Sequence, residues 1–170
     1  MSIVSQSTAK TLISDFNNVK LGQEQEELVY RWLRNNSSGL ILVTGCVDEL
    51  LNTTCLAILE KVSSIYPSAK MITLEYALKY TVPFALQIKV EENTSYRDYM
   101  PSVLRHNADV FYIEKIQTQE DADVVSRLVD LGYLVISSVS ISTTNHNQFE
   151  SICNLNTLRI STSQISSTLA

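Results

Sequence analysis

The segment that most restricts the fold is Gly39-Leu40-Ile41-Leu42-Val43-Thr44-Gly45, an apolar run bounded by turn residues. A strand with one wet face alternates apolar and polar side chains. This run does not alternate, so it belongs in a parallel sheet buried on both faces. Parallel neighbours are joined by crossover helices, and the flanking sequence supplies them. Gln23 to Arg34, "QEQEELVYRWLR", puts Leu28, Val29, Trp32 and Leu33 on one helical stripe with charges opposite, and Asn35-Asn36-Ser37-Ser38-Gly39 ends it. Beyond Gly45 a second helix is predicted from about Glu49 to Ile65, with Leu51, Cys55, Ile58, Val62 and Ile65 inward and Pro67 closing it.

The remaining chain repeats this alternation. Lys70 to Glu75 reads as a strand, and "YALKYTVPFALQIKVEE" after it as a hairpin or an extended arm. Ser95 and Asp98 form a capping box for a helix reaching Arg105, in which Pro101 either kinks the helix or marks a later start. Asp109 to Ile113 is the next strand, Thr118 and Asp121 cap a helix carrying Ala122, Val125, Leu128 and Val129 inward, and Gly132 ends it. "YLVISSVSI" follows as a fourth strand, and Thr157 to Ser161 is a short further candidate inside a Ser/Thr/Asn-rich end. The expectation is an α/β fold with a mostly parallel sheet and helices on both faces. It forms a single domain over residues 1–170 with its core at about 20–161.

Composition excludes several classes of function. A net charge of −5 removes the electrostatic attraction that dominates duplex binding, so no nucleic acid is expected as a partner. The longest apolar runs are too short for a membrane span and "MSIVSQSTAK" lacks a signal-peptide core, which predicts a cytoplasmic protein without membrane insertion. Cys46, Cys55 and Cys153 contain no C-x-x-C pair and lie far in sequence from His106 and His146, so no metal site is expected. Ser137 to Ser140 and His146 lack the strained G-x-S-x-G elbow of a serine nucleophile. His106 is placed to cap a helix end. Glu114 and Lys115, at the end of a strand, read as a solvated pair rather than a general acid and base. The aromatic-rich middle, Tyr76, Tyr80, Phe84, Tyr96, Tyr99 and Tyr112, is either core or an exposed protein interface.

In order and spacing these segments resemble the RecA-like motor domain of the type II secretion and type IV pilus ATPases, over roughly Lys20 to Ser142. The resemblance implies a P-loop NTPase-type three-layer sandwich, shortened at its C-terminal end and without the separate N-terminal domain of those motors. Their phosphate loop, G-P-T-G-S-G-K-S-T-T, falls on Gly45 to Thr54. Gly45, Thr53 and Thr54 match, while Asp48 and Leu50 replace glycines, Leu51 the lysine and Asn52 the magnesium-binding serine. The acidic segment T-I-E-D-P-I-E-Y keeps Glu75 and has Tyr76 and Lys79 at its other acids. The arginine-bearing helix keeps Arg105 but has Asp98 and Pro101 at the other arginines. In D-V-I-M-V-G-E-I-R-D, the glycine is Glu114, the glutamate Lys115 and the arginine Gln117, and Tyr133 and Ser140 stand at the two histidines of G-H-L-V-L-S-T-L-H-T-N.

Glycines let backbone N–H groups curl around phosphates, and the lysine neutralises the terminal oxygens. A leucine does neither. Packing positions stay apolar while those that touch phosphate, magnesium or the attacking water change type. The resemblance therefore implies a pseudo-ATPase with no catalytic residues, no bound cofactor and no metal, which binds a protein of a pilus or secretion machine. A peripheral place at the inner membrane stays open. The alternative is a nucleotide-sensing or weakly active subunit completed by a neighbour.

Overall fold

A computed structural model describes residues 2–3, 21–142, 152 and 154–162. His146, Cys153, and the opening and closing segments discussed above lie outside the described residues. Seven strands form one sheet: β1 (Ser2–Ile3), β2 (Gly39–Gly45), β3 (Met71–Glu75), β4 (Ala85–Lys89), β5 (Val110–Ile113), β6 (Leu134–Ser140) and β7 (Thr157–Ser161). Their order across the sheet is β1-β4-β3-β5-β6-β2-β7. Every pairing is parallel except β1 with β4.

Among the described residues four helices cover the faces: α1 (Gln23–Asn35), α2 (Asp48–Ile65), α3 (Tyr96–Val103) and α4 (Gln119–Asp130). One core unites α1 and α2 with Ile41, Val43, Val110, Tyr112 and Ile136. The other unites α3 and α4 with Leu40, Leu42, Leu74, Phe111 and Val135. The alternate side chains of β2 thus enter opposite cores, as a doubly covered strand requires, and the predicted three-layer α/β sandwich is what the chain forms.

Several local expectations need correction. Residues 76–92 form neither hairpin nor arm: β4 runs parallel to β3, Met71 opposite Ala85 and Glu75 opposite Lys89, and residues 76–84 cross between them without a helix. Leu28 is 37% exposed, because α1 packs along the row Leu21, Gln25, Val29 and Leu33 instead. Gln25 fits that row because Gly22 has no Cβ where the Gln25 amide lies.

Pro101 lies inside α3, which starts at Tyr96, after Ser95 donates its backbone N–H to Asp98 Oδ2 at 2.8 Å. Proline removes one intrahelical donor, and the helix lasts only to Val103 before tightening into a 3₁₀ turn, Leu104–His106. Tyr96, Tyr99 and Tyr112 are buried and Tyr76, Tyr80 and Phe84 pack against the two cores, so these aromatics serve the interior. Thr118 and Asp121 form the predicted reciprocal cap on α4.

Candidate functional site

In a parallel sheet ligands bind beyond the strands' C-terminal ends. Here that rim gathers Gly45 (β2), Glu75 (β3), Glu114 and Lys115 (after β5), Ser140 (β6), Thr162 (after β7) and the first turns of α2. The register places Gly45 opposite Ser140, and Gly45 O accepts from Ile141 N at 3.0 Å. The segments singled out in sequence therefore do meet in space.

The turn from β2 into α2 is occupied by the chain's own atoms. A Cβ on Gly45 would run into Thr162 Oγ1 and lie 3.3 Å from Leu51 Cδ2, so this glycine answers a packing need. Leu51 is buried, Leu50 half-buried, and Thr53 Oγ1 donates back to Glu49 O at 2.9 Å within its own helix. Asn52 is buried and its Nδ2 reaches Glu114 Oε1 at 3.4 Å. Asp48, at the exposed start of α2, takes the Lys115 ammonium at 2.7 Å.

Glu114 and Lys115 are thus no solvated pair, as they turn to different partners. Glu114 Oε2 accepts from the backbone N–H of Tyr76 at 2.5 Å and of Ala77 at 3.5 Å, and Ser138 Oγ donates to Glu114 O. Glu75 is fully buried. Its Oε1 accepts from Thr73 Oγ1 at 2.6 Å and Gln87 Nε2 at 3.2 Å, while Oε2 meets no partner among the described residues. Burial first, and the Glu114 charge least, push its carboxyl up to about 7, against the two hydrogen bonds. Burial likewise raises the Cys55 thiol and the Tyr112 phenol.

Tyr76 turns to the other face and stacks on Tyr96 at 5.2 Å between ring centroids. Tyr96 OH accepts from Lys115 N. Ser137 donates to Ile113 O and Ser140 pairs with Ser142 at 2.8 Å, so these hydroxyls bind their own sheet. Arg105 Nε, in the 3₁₀ turn, donates to Pro101 O in the last turn of α3. Among the described residues no group of three or more His, Cys, Asp or Glu is arranged to hold a metal, and no helix is long and apolar enough to cross a membrane.

Sequence reasoning missed Gln87 and Thr162. Gln87 was the detectable one, a polar residue inside the strand pattern Ala85–Lys89. Thr162 had no signal, since only the fold sets it against Gly45.

The model of the type II/IV secretion system protein family matches residues 1–170. Competence protein ComGA of Halalkalibacterium halodurans is 28% identical over 109 residues, 63% of this chain and 31% of the relative. Competence protein ComGA of Bacillus subtilis is 24% identical over 106 residues, 61% of this chain and 30% of the relative. The chain thus spans about a third of the length of these relatives. Among solved structures, the pilus retraction motor PilT with bound ADP matches at a TM-score of 0.55 and 22% identity, over 80% of this chain and 43% of that one. The Legionella pneumophila ATPase DotB matches at 0.59 and 14%, over 84% and 40%. These likenesses establish the RecA-like fold.

Proposed function

The chain belongs to the type II/IV secretion system protein family, and from that premise we propose that it is a non-catalytic, cytoplasmic member that works by binding another protein of a pilus, secretion or DNA-uptake machine. The observation that carries this is the turn at Gly45 to Asn52: a buried leucine stands where a phosphate-binding lysine would, between a carboxylate and an amide already tied to Lys115 and Glu114. Magnesium and a nucleotide triphosphate do not fit these residues. The anionic Asp48 sits at the helix N-terminus that would otherwise attract phosphate.

The magnitudes favour loss of binding. A charge-assisted hydrogen bond is worth roughly 1.5–3 kcal/mol. Removing a lysine and two arginines takes away several kcal/mol, and about 4 kcal/mol separates a micromolar site from a millimolar one. The groups a nucleotide-sensing subunit would use are engaged locally, Thr53 with Glu49 O within α2 and Arg105 with Pro101 O one turn back, which weighs against that alternative.

The test is the thermal midpoint of the purified chain with and without millimolar magnesium ATP. An unchanged midpoint is expected. A rise of several degrees would overturn the proposal, since ligand binding stabilises the folded state by mass action. Phosphate release above background on mixing with an active motor of the same family would overturn it as well.

A further inference from the structure

Residues 76–84 leave β3, cross the rim and enter β4 without forming a helix, so this segment makes few backbone bonds of its own. What holds it is a set of side chains rooted in the sheet. Glu114 accepts the N–H groups of Tyr76 and Ala77 at its start. Gln87 fastens its middle from both ends of one amide: Oε1 accepts from Val82 N at 2.8 Å, and Nε2 donates to Tyr80 O at 2.9 Å and to Glu75 Oε1 at 3.2 Å. Tyr80 OH reaches Glu49 Oε1 at 3.5 Å, which brings the segment to the first turn of α2.

We propose that residues 76–84 are a proton-latched strap, fastened over the rim through Gln87 while Glu75 holds a proton and released when Glu75 ionises. The geometry gives the reason. Both hydrogen bonds to the Glu75 carboxyl converge on Oε1, as on the carbonyl oxygen of a neutral acid, and Oε2 is buried without a donor. A neutral O–H left unpaired there costs far less than half of a carboxylate charge left unpaired.

Among the described residues no cation compensates that charge from any side. From β5 it faces Tyr112, whose OH is also unpartnered, and Glu114. From β4 it faces the neutral Gln87, while Lys89, its register partner, has an exposed side chain. The helix α2 presents buried Cys55 and, at its exposed end, Glu49, and the strap presents Tyr80 and an exposed Lys79, Tyr76 being turned to the other face. Burial outweighs the two hydrogen bonds, so proton loss falls near neutrality. Ionised Glu75 reaches water by displacing the strap, the cover that is held by side-chain bonds rather than by strand pairing. The latch would work in the same way in a chain that turned over ATP.

The test is amide exchange of the folded protein, read by NMR at Tyr76, Ala77 and Val82 from pH 5.5 to 8.5 as protection relative to intrinsic rates. Protection at Val82 is expected to hold below neutrality and then to fall by about tenfold per pH unit. Glu75→Gln is expected to keep it high and flat. A flat profile in the unsubstituted chain overturns the proposal, and so does an unchanged fall in Glu75→Gln. Carbon-13 titration of the Glu75 carboxyl gives a second readout that needs no variant: a midpoint near the ordinary 4.5 would sink the latch. Should Glu75→Gln not fold, Gln87→Ala is expected to leave Val82 poorly protected at every pH, and full protection there would equally overturn the idea.

Discussion

The two halves of α2 pack on the same sheet by different physics. Its C-terminal half sets Ile58, Leu59 and Val62 into a wholly apolar cluster with Ile41, Val43, Val110 and Ile136, each of them 3% exposed or less. Its N-terminal half carries the buried Leu51, Asn52 and Thr54 near the rim of Glu75, Glu114 and Ser140, with Tyr112 on the strand below that rim. All four buried side-chain oxygens without a partner among the described residues, Asn52 Oδ1, Thr54 Oγ1, Glu75 Oε2 and Tyr112 OH, lie in that polar half of the helix or on the strands beneath it. Each costs about 1–3 kcal/mol. A chain selected only for stability would bury apolar groups there. The difference teaches that the lower half specifies the fold and the upper half is carried at a cost, in the place where the resembling motors hold their reactants.

The comparison can be broken most forcefully at the apolar end. Ile58→Ala leaves a cavity in a fully enclosed site and is expected to lose about 4 kcal/mol in urea unfolding. A loss below about 1 kcal/mol would mean that this half is not the specifying one.

Next in size is the pH response of Glu75. Its folded-state value lies near 7 against an ordinary 4.5, so the folded protein binds this proton more tightly than the unfolded chain does. The stabilisation is fully present below pH 4.5 and is lost as pH rises to about 7. Over that window the unsubstituted chain should lose about 3 kcal/mol relative to Glu75→Gln. Parallel pH-stability curves for the two proteins would remove Glu75 from the list of costly groups.

Much of this fold was legible because its signals are local. Thr118 and Asp121 announce α4 through a cap that needs only three residues of separation, and the two long apolar runs announce β2 and β6. The crossing at residues 76–84 was illegible because a parallel connection without a helix leaves no period to read, and its anchors, Gln87 in β4 and Glu114 just after β5, lie outside it. Leu28 misled because Gly22 and Gln25 jointly shift the buried row of α1, a pairwise effect that a stripe of single residues does not contain. At the rim, sequence put Glu75, Glu114 and Lys115 in one neighbourhood and missed what each does. Partners such as the Tyr76 backbone N–H and the Asp48 carboxylate are set by register and turn geometry, which residue types do not encode.

Smaller effects sharpen the contrast inside the polar half itself. Tyr112→Phe removes a buried hydroxyl that meets no partner and leaves the ring packed, so it should raise stability by about 1 kcal/mol, where the same change at a bonded tyrosine lowers it. A clear loss on this substitution would show that the hydroxyl is satisfied, and the polar half would then be cheaper than it looks.

Asp48→Ala is the smallest and tests the surface of that half. The Lys115 to Asp48 pair is short, at 2.7 Å, but the Asp48 side chain is 61% exposed, and exposed ion pairs contribute at most about 1 kcal/mol. Removing the carboxylate also removes a favourable charge from the first turn of α2, so both contributions have the same sign. A loss of about 0.5 kcal/mol that fades in molar salt is therefore expected in urea unfolding. A loss several times larger, insensitive to salt, would mean that the pair is sealed from water in solution and that the rim is as tightly specified as the apolar half beneath it.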